Sequence, residues 1–425
     1  MLRIFLTVLL YLPYSVGTFD TDDFEKLLVG AYYYPWHGND FHRGGGYIRK
    51  EIGHTPALGE YDDSTSEVIQ KHLEYSRQAN IKLWVTSWWG RFSREDNTTR
   101  TVILPEVNGT EHKIALLYET TGILDNEDGS RQLNRVITDV EYILDTYVSH
   151  PNYFTVDDRP VLFVYLTRVL KEDLSSVMLL MRTAGSRRNV NLFLVGDQAF
   201  GVPPLETSEY LPFNFMDAIT NYDNYGTLPK PYATNAGLEK YYRQQAEWRE
   251  LARRQDCKFI PSVSPGYNDR GVRLEADHLP LSRKLNGVSD DFGSFFRFSL
   301  RKAIPLIDRG VNRLIMVNSF NEWHEDTQIE PAIGKLTREP KVYTGGIEYE
   351  GYNTRYLDLL NRMTTNGSWI AEENFENEWL EQLINRKENK YEITKPPRLP
   401  EQLRPNRRRR KRRDAFDSTE DKFNL

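Results

Sequence analysis

The sequence predicts an α/β protein, a (β/α)8 TIM barrel that is followed by a disordered basic C-terminal tail. Eight apolar, β-branched runs recur along the 425 residues and alternate with segments of helical periodicity, as expected for parallel strands joined by helices. Polar and aromatic residues cluster directly after several of these runs, where a barrel carries its functional residues. A doubly wound parallel sheet is the structural alternative, because it shows the same alternation.

The predicted strands are short apolar runs that are separated by helical patterns. In chain order they are Val29–Tyr34, Lys82–Ser87, Lys113–Tyr118, Pro160–Tyr165, Asn191–Gly196, Met216–Thr220, Lys258–Val263 and Arg313–Asn318. The clearest helix between them is Leu133–Val148, whose apolar residues fall at helical spacing. Another helix is predicted to begin at Ser64, where Ser64-Thr65-Ser66-Glu67 has the pattern of a capping box.

The first 17 residues have the features of a signal peptide. Arg3 precedes the apolar run Ile4–Val16, and the small residues Ser15 and Gly17 occupy the −3 and −1 positions of a cleavage site before Thr18. Because the run is short for a membrane span, a cleaved signal is favoured over an uncleaved anchor. With a cleaved signal, the mature chain has no integral membrane span.

Sequons and cysteine usage agree with a secretory chain. Glycosylation acceptor sequences begin at Asn97, Asn108 and Asn366, and such sequences are used only in the secretory pathway. Cys257 is the only cysteine, so an internal disulfide is excluded and stability depends on a large core. The expected location is therefore the secretory pathway, with the protein either secreted or held in the Golgi or ER lumen.

Composition restricts the classes of partner. The formal net charge is −6, which gives no indication of nucleic-acid binding by the body of the chain. Aromatic residues make up 12% of the sequence, with 25 Tyr and 8 Trp, and this excess favours flat ligands with polar edges, such as sugars. We expect a monomer that needs no cofactor.

The end of the chain differs from the body. We place the catalytic domain at residues 18–387 and a tail at residues 388–425, where the apolar pattern thins out. Arg407–Arg413 is a run of seven basic residues that is followed by an acidic segment. A solvated disordered tail is the plain interpretation, while a processing site or a tether to acidic glycans fits a secretory chain.

Candidate ligand-binding residues follow the predicted strands. The clusters read YYYPWHGN after the first strand, SWWGR after the second, YETTG after the third and SPGYNDRGVR after the seventh. At one end of a barrel such a set favours a sugar-binding cleft, although each aromatic could instead cap the barrel as packing. The candidates for substrate binding are Tyr33, Tyr34, Trp36, Trp88, Trp89, Glu119, Tyr222, Tyr267, Asn321, Trp323 and His324.

The catalytic candidates are Glu322 and Glu325, which follow the last strand. A spacing of three residues puts both on the same side of a helical turn. Two nearby carboxylates in a dry cleft cannot both ionise easily, so the pair can divide the roles of acid and base in glycosidic cleavage. A solvated turn is the alternative. His324 could suggest a metal, but no second cluster has ligand spacing, so no metal site is predicted.

The stretch SFNEWHEDTQIEP closely resembles the last-strand motif of family 99 glycoside hydrolases, the endo-α-1,2-mannosidases. YYYPWHGN, GEYDDSTSEVIQKHL and FIPSVSPGYNDRGVR agree with that family in the same order, so the resemblance covers roughly residues 28–356. It implies a metal-independent barrel that retains the anomeric configuration. It also implies that Glu322 acts as a base on the substrate 2-hydroxyl, and that Glu325 is the general acid and then the base to water.

Three departures from the family pattern lie where sugar subsites are expected. Only the acid of an Ile-Glu-Pro-Tyr stretch is kept, as Glu119; Asp326 replaces a usual Gly; and Trp88-Trp89-Gly90 stands where animal members have Trp-Tyr-Pro. The predicted function is retaining endo-cleavage of α-mannosidic linkages in glycoprotein glycans or mannans.

Two other functions stay open from the sequence. One is cleavage of another polysaccharide, possibly an anionic one, given Arg91, Arg270 and Arg273 near the predicted cleft. The other is a non-catalytic carbohydrate-binding barrel, against which the presence of both glutamates argues.

Overall fold

Eight parallel strands form a barrel in the computed structural model, which describes residues 27–38, 41, 54–126, 129–205, 212–273, 278–287, 292–334, 339–347 and 349–365. The strands are β1 (Leu28–Tyr33), β2 (Ile81–Trp88), β3 (Lys113–Tyr118), β4 (Arg159–Val164), β5 (Phe193–Asp197), β6 (Ala218–Thr220), β7 (Lys258–Ile260 and Ser262–Val263) and β8 (Leu314–Val317). Each strand pairs in parallel with the next, and β8 pairs with β1. β7 is interrupted at Pro261, so its first segment pairs with β6 and its second with β8.

The predicted barrel is confirmed. All eight strands occur where the sequence predicts them, and their ends differ from the prediction by at most two residues. The pairing of Leu28 with Leu314 joins the first strand to the last. A doubly wound open sheet is excluded, because in such a sheet the first and last strands would not pair in this way.

Helices cover the outside of the barrel. They are α1 (Ser66–Gln78), α2 (Arg94–Thr98, continued by Thr99–Ile103 and Leu104–Val107), α3 (Arg135–Ile143, continued by Leu144–Val148), α4 (Leu174–Arg187), α5 (Asn235–Arg254), α6 (Ser294–Ala303) and α7 (Arg355–Thr365). Between β5 and β6 the described residues contain no α-helix. Two short antiparallel pairings are added, one between His54–Pro56 and Ala332–Gly334 and the other between Thr155–Val156 and β4.

One helix prediction is confirmed, and the detail of another is wrong. The predicted helix at 133–148 corresponds to α3 and its continuation, which together end at Val148. The predicted capping box does not form, because α1 begins at Ser66 and its N-cap Thr65 makes no side-chain cap hydrogen bond. The hydroxyl of Ser64 instead donates to Oδ1 of Asp62 at 2.6 Å, a local contact that competes with capping.

Side chains of the strands alternate between two apolar clusters. At β1, Tyr32 and Tyr34 belong to the cluster inside the barrel, whereas Tyr33 belongs to the larger cluster between strands and helices. This alternation follows from the two-residue repeat of a strand. The same alternation continues to the carboxyl ends of β2, β3, β4 and β5. The last inward-facing positions there are polar, namely Ser87, Glu119, Tyr165 and Asp197. The barrel interior therefore becomes polar at this end.

Several sequence predictions concern residues outside the described ranges. These are the signal peptide at residues 1–17, the sequon at Asn366 and the tail at 388–425. Asn97 and Asn108 do lie in the described part, and both are exposed. Cys257, the single cysteine of the sequence, is buried. Among the described residues, no helix combines the length and hydrophobicity needed to cross a membrane.

Candidate active site

Glu322 and Glu325 lie in a hydrogen-bonded loop after β8, rather than in a helix. Ser319 begins the loop, and its N–H donates to the backbone oxygen of Thr327 at 2.8 Å. Ser319 Oγ accepts a hydrogen bond from the N–H of Glu322 at 2.8 Å and lies 2.9 Å from Oγ1 of Thr327. The two glutamates are thus placed by a closed loop whose ends are tied together.

Glu322 is nearly inaccessible to solvent. The residue is 2% exposed. Its Oε1 accepts a hydrogen bond from the N–H of His324 at 2.7 Å. Burial raises the pKa of the Glu322 carboxyl well above its usual range, and the charge of Glu325 raises it further. This is the behaviour of two carboxylates that share one site, where a low dielectric and a like charge both disfavour ionisation.

Glu325 is held by side chains from two other loops. Tyr225, after β6, donates its hydroxyl to Oε2 at 3.1 Å, and Nη1 of Arg273, after β7, donates to Oε1 at 3.1 Å. The backbone oxygen of Glu325 accepts the N–H of Asn268 at 2.7 Å. Both carboxylate oxygens of Glu325 therefore have partners, while the side chain keeps 18% of its surface exposed.

Glu119 supplies a third buried carboxyl at the end of β3. Its residue is 3% exposed, and Oε1 accepts the hydroxyl of Ser87 at 2.7 Å. Ser87 Oγ in turn accepts the indole N–H of Trp89 at 2.8 Å. Burial raises the pKa of Glu119 to about 8, against the lowering effect of Ser87 and with a further increase from the charge of Glu325. The carboxyl is therefore protonated at neutral pH in the free protein.

Two inward-facing tyrosines connect opposite sides of the barrel. The hydroxyls of Tyr34 and Tyr222 share a hydrogen bond. The N–H of Tyr34 donates to Oδ1 of Asn321 at 2.8 Å, and Nδ2 of Asn321 donates to the backbone oxygen of Tyr34 at 3.0 Å. This reciprocal pair fixes the loop after β8 to the end of β1, across 287 residues of sequence.

The same end of the barrel carries further aromatic residues. The ring of Trp36 lies 4.6 Å from that of Tyr34, 5.4 Å from that of His324 and 6.4 Å from that of Trp89. Trp36 is half-buried, and its indole N–H has no hydrogen-bond partner among the residues that the structure describes. Such a half-buried ring offers an apolar face on which a sugar can stack. Next to Glu325, Tyr267 stacks on Tyr225 with ring centroids 4.0 Å apart.

Three predicted ligand-binding residues lie elsewhere. Tyr33, Trp88 and Trp323 are fully buried in the cluster between strands and helices. The hydroxyl of Tyr33 is 2.9 Å from Nδ1 of His72, and the indole N–H of Trp88 donates to Oδ1 of Asp96 at 2.9 Å. The sequence-based expectation is corrected for these three. For Tyr33 and Trp88 the reason is that neighbouring residues on a strand point to opposite faces. Trp323 lies in the loop after β8, where its indole N–H is bonded to the buried Glu330.

Sequence reasoning missed several residues of the site. The pKa of the Tyr165 hydroxyl is raised well above its usual value by burial, and then by four carboxylates, Glu325, Glu119, Asp197 and Asp223. These groups come from the ends of β3 to β6 and from the loop after β8. Tyr165 and Asp197 could have been found by extending the inward register of β4 and β5 by one step.

The remaining two carboxylates after β8 are structural. Oε2 of Glu330 accepts the indole N–H of Trp323 at 2.8 Å and the hydroxyl of Tyr61 at 2.7 Å. Oδ1 of Asp326 lies 3.0 Å from Nδ1 of His54 and 3.4 Å from Nη2 of Arg283. Both acids are almost completely buried, so their partners compensate the loss of hydration.

The three arginines that suggested an anionic substrate have separate surroundings. The guanidinium of Arg91 lies 4.8 Å from the ring centroid of Tyr142. Arg270 donates to the backbone oxygen of Val342 at 2.6 Å. Arg273 contacts the catalytic candidate Glu325. In the described part of the chain, no group of three or more His, Cys, Asp or Glu side chains could hold a metal ion.

Comparison with known proteins is consistent with this geometry. The family model of glycosyl hydrolase family 99 matches residues 3–365. The chain belongs to glycosyl hydrolase family 99. It is therefore a glycoside hydrolase, and the possibility of a purely sugar-binding barrel is set aside.

Several relatives and solved structures are similar to this family 99 hydrolase. It is 26% identical to the glycoprotein endo-alpha-1,2-mannosidase of Mus musculus over 394 residues, which are 83% of this chain and 78% of the relative. It is 25% identical to the glycoprotein endo-alpha-1,2-mannosidase-like protein of Homo sapiens, over 72% of this chain and 63% of the relative. The family 99 endo-alpha-mannosidase structure from Bacteroides thetaiotaomicron aligns with a TM-score of 0.56 and 23% identity, over 82% of this chain and 98% of that one. At this identity the structural likeness supports the fold alone.

Proposed function

We propose that this family 99 hydrolase is an endo-acting α-mannosidase that cleaves glycoprotein glycans or mannans with retention of configuration. The observation that carries the proposal is the pair of Glu322 and Glu325 at the carboxyl end of the barrel, one buried and the other held by Tyr225 and Arg273. The names of its relatives support mannose as the sugar that is cleaved. The half-buried Trp36 and Trp89 supply aromatic surface for sugar rings.

In the first step, Glu322 removes the proton from the 2-hydroxyl of the sugar. The 2-oxygen then closes on the anomeric carbon while Glu325 gives its proton to the leaving glycosidic oxygen. A carboxylate with a raised pKa is the stronger base once it is ionised, and burial raises the pKa of Glu322. Glu322 thus removes a proton from the oxygen that bonds to the anomeric carbon, and Glu325 donates a proton to the oxygen that leaves it.

The proton inventory of the pair fits these roles. Because repulsion disfavours a state in which both carboxylates are ionised, the pair holds one proton at the start of the reaction. The proposed first step requires that proton on Glu325, because Glu325 is the group that donates to the leaving oxygen. Protonation of Glu325 also removes the repulsion on Glu322 and leaves it free to ionise.

In the second step, Glu325 acts as a base and activates water, which opens the strained three-membered ring at the anomeric carbon. Glu322 returns the proton to the 2-oxygen. Each step inverts the anomeric carbon, so the two together retain its configuration, and no covalent bond forms between the protein and the sugar. An inverting enzyme holds its carboxyl groups farther apart, roughly 6.5–9.5 Å, to admit water between them.

The location proposed for this activity is the secretory pathway. Glycoprotein glycans are found there, and the exposed side chains of Asn97 and Asn108 would themselves be available for glycosylation. A mobility shift of the expressed protein after glycosidase treatment supports this location. Unmodified protein that remains in the cytosol would contradict it.

The function is tested by hydrolysis of a glycan panel and by the anomer that forms first. We expect release of oligosaccharides from substrates with internal α-mannosidic bonds, and an α-configured product in early NMR spectra. We also expect no reaction on a substrate that lacks the 2-hydroxyl. An initial β-product would overturn the mechanism, and cleavage of other glycans alone would overturn the substrate class.

A further inference from the structure

A row of three charged side chains runs along the carboxyl ends of β4, β5 and β6. Arg168 follows β4, Asp197 ends β5 and Asp223 follows β6. Nη1 of Arg168 donates to Oδ2 of Asp197 at 2.6 Å, and Nη2 donates to Oδ2 of Asp223 at 3.2 Å. The guanidinium also lies 4.6 Å from the ring centroid of Phe200. We call Arg168, Asp197 and Asp223 the charged row.

The two acids of the row differ in how fully they are bonded. Asp197 is 2% exposed, and its carboxylate also accepts the N–H groups of Leu166 at 3.2 Å and Tyr222 at 2.9 Å. Asp223 keeps 26% of its side chain exposed. Within the described part of the chain, its Oδ1 accepts no hydrogen bond. Asp197 therefore anchors Arg168, while Asp223 presents an unused acceptor.

The electrostatic state of Asp223 follows from its surroundings. Burial raises its pKa to about 6, and the negative charges of Asp197 and Glu325 act in the same direction. The positive charges of Arg168 and Lys230 oppose this rise. Since the pKa remains below neutrality, Asp223 is mainly ionised at pH 7 and can accept hydrogen bonds from hydroxyl groups.

The loop after β6 brings Asp223 close enough to Glu325 for the charge of Glu325 to raise its pKa. Tyr222 precedes it and shares a hydrogen bond with Tyr34, at the end of β1. Tyr225 follows two residues later and donates to Glu325. A general acid lies next to the oxygen that it protonates, so the leaving sugar occupies the side of Glu325. The partly exposed side chain of Asp223 belongs to the same loop as Tyr225, which contacts Glu325.

We propose that Asp223, held by Arg168, binds hydroxyl groups of the neutral sugar unit on the leaving side of the scissile bond. This inference rests on the proposed function, because Glu325 defines which side is the leaving side. An ionised carboxylate with an open oxygen accepts strong, charge-assisted hydrogen bonds from hydroxyls. The contact with Arg168 fixes the side chain in advance, which reduces the entropy lost on binding.

The test compares two substrates that share the same glycone. One carries a sugar as the leaving group, and the other is the corresponding glycosyl fluoride, which offers no hydroxyl to Asp223. For each variant, the measured quantity is the kcat/KM for the sugar-leaving substrate divided by the kcat/KM for the fluoride. This ratio does not depend on the fraction of folded protein, so partial misfolding of a variant does not affect it.

We expect the ratio to fall by roughly 10- to 100-fold in both Asp223→Asn and Asp223→Ser, as for the loss of hydrogen bonds to a charged group. The matched control is Asp157→Asn, which changes an exposed acid just before β4, at the opposite end of the barrel, and should keep the wild-type ratio. An unchanged ratio in both Asp223 variants would overturn the inference.

Failure of the proposed function gives a different result. If the wild-type protein cleaves another glycan and no α-mannoside, the proposed function is wrong. The pair of substrates is then built on the glycan that is cleaved, and the same ratio tests Asp223. A fall in the ratio in the Asp223 variants would still show that Asp223 binds the leaving-side sugar. An unchanged ratio would still exclude this role.

Discussion

The hydroxyl of Tyr225 donates a hydrogen bond to Oε2 of Glu325 at 3.1 Å. One hundred residues separate the two in sequence, and they approach because the loops after β6 and β8 leave the same end of the barrel. The ring of Tyr225 is itself fixed by stacking on Tyr267, with centroids 4.0 Å apart. Glu325, the proposed general acid, therefore contacts a neighbour whose ring is held by stacking.

Replacement of Tyr225 by Phe should lower kcat/KM by about tenfold or more, because a hydrogen bond to a charged group contributes about 1.5–3 kcal/mol. The ring and its stacking are kept, so the melting temperature should change little. Tyr153→Phe is the control, since its hydroxyl donates to the backbone oxygen of Val161 near the start of β4. A control that lost as much activity as Tyr225→Phe would indicate a general packing effect.

Glu322→Gln and Glu325→Gln should each lower kcat by about 100- to 10,000-fold, the range that general acid–base groups contribute. The two variants should differ with a substrate whose leaving group is a weak base. Glu325→Gln should regain much of its rate there, because such a leaving group departs without a proton. Glu322→Gln should not, and equal recovery in steady-state assays would contradict the assigned roles.

Glu119→Gln should stabilise the protein at alkaline pH. The pKa of Glu119 is raised to about 8 by burial, so folding is opposed increasingly as the pH rises from the ordinary value of 4.5 towards 8. The variant removes this penalty, and its excess free energy of unfolding should grow over that window to at most about 5 kcal/mol. Gln keeps an acceptor for the hydroxyl of Ser87.

The measurement is denaturant unfolding of Glu119→Gln and wild type at pH 5 and pH 8.5. The exposed Glu111 is the control site, and Glu111→Gln should change stability by less than about 0.5 kcal/mol at either pH. A Glu119→Gln variant whose stability relative to wild type is the same at both pH values would show that the buried carboxyl imposes no such penalty.

Trp36→Ala and Trp88→Ala should have opposite consequences. Trp36 is half-buried beside Tyr34, so its loss should raise KM and leave the melting temperature nearly unchanged. Trp88 is fully buried and donates to Asp96, so its loss should cost about 3–5 kcal/mol of stability. Kinetics and thermal melts on both variants decide this, and a lowered melting temperature with an unchanged KM in Trp36→Ala would make Trp36 a packing residue.

Asp326→Gly should destabilise the fold although it restores the residue that the family pattern usually has. Asp326 has a φ of 52°, where Gly relieves strain worth roughly 1 kcal/mol. The change also removes the acid from the buried Arg283 and from His54, and breaking a buried pair costs about 3–5 kcal/mol. The net effect should be a clear fall in melting temperature.

The control for this change is Asp157→Gly, at an exposed position with a φ of 50°. It relieves similar backbone strain without breaking a buried pair, so its melting temperature should equal or exceed that of wild type. If Asp326→Gly behaved in the same way as this control, the contacts of Asp326 with Arg283 and His54 would contribute nothing to stability.

The sequence by itself determined the barrel and the position of the two glutamates that are proposed to be catalytic. Apolar runs at regular intervals specify strands and helices through local periodicity, and this signal does not depend on distant residues. The loop after β8 was also identifiable, because Glu322 and Glu325 are close in sequence and follow a strand. Family membership was likewise carried by a continuous stretch of residues.

Only the tertiary structure decided which side chains face the cleft and which contact Glu325, the proposed general acid. Neighbouring residues on a strand point to opposite faces, so Trp88 enters the outer core while Trp89 reaches Ser87. Tyr225 and Arg273 are 100 and 52 residues from Glu325, and nothing local in their sequence signals that contact. Their approach is a consequence of barrel closure, which brings the ends of β6, β7 and β8 together.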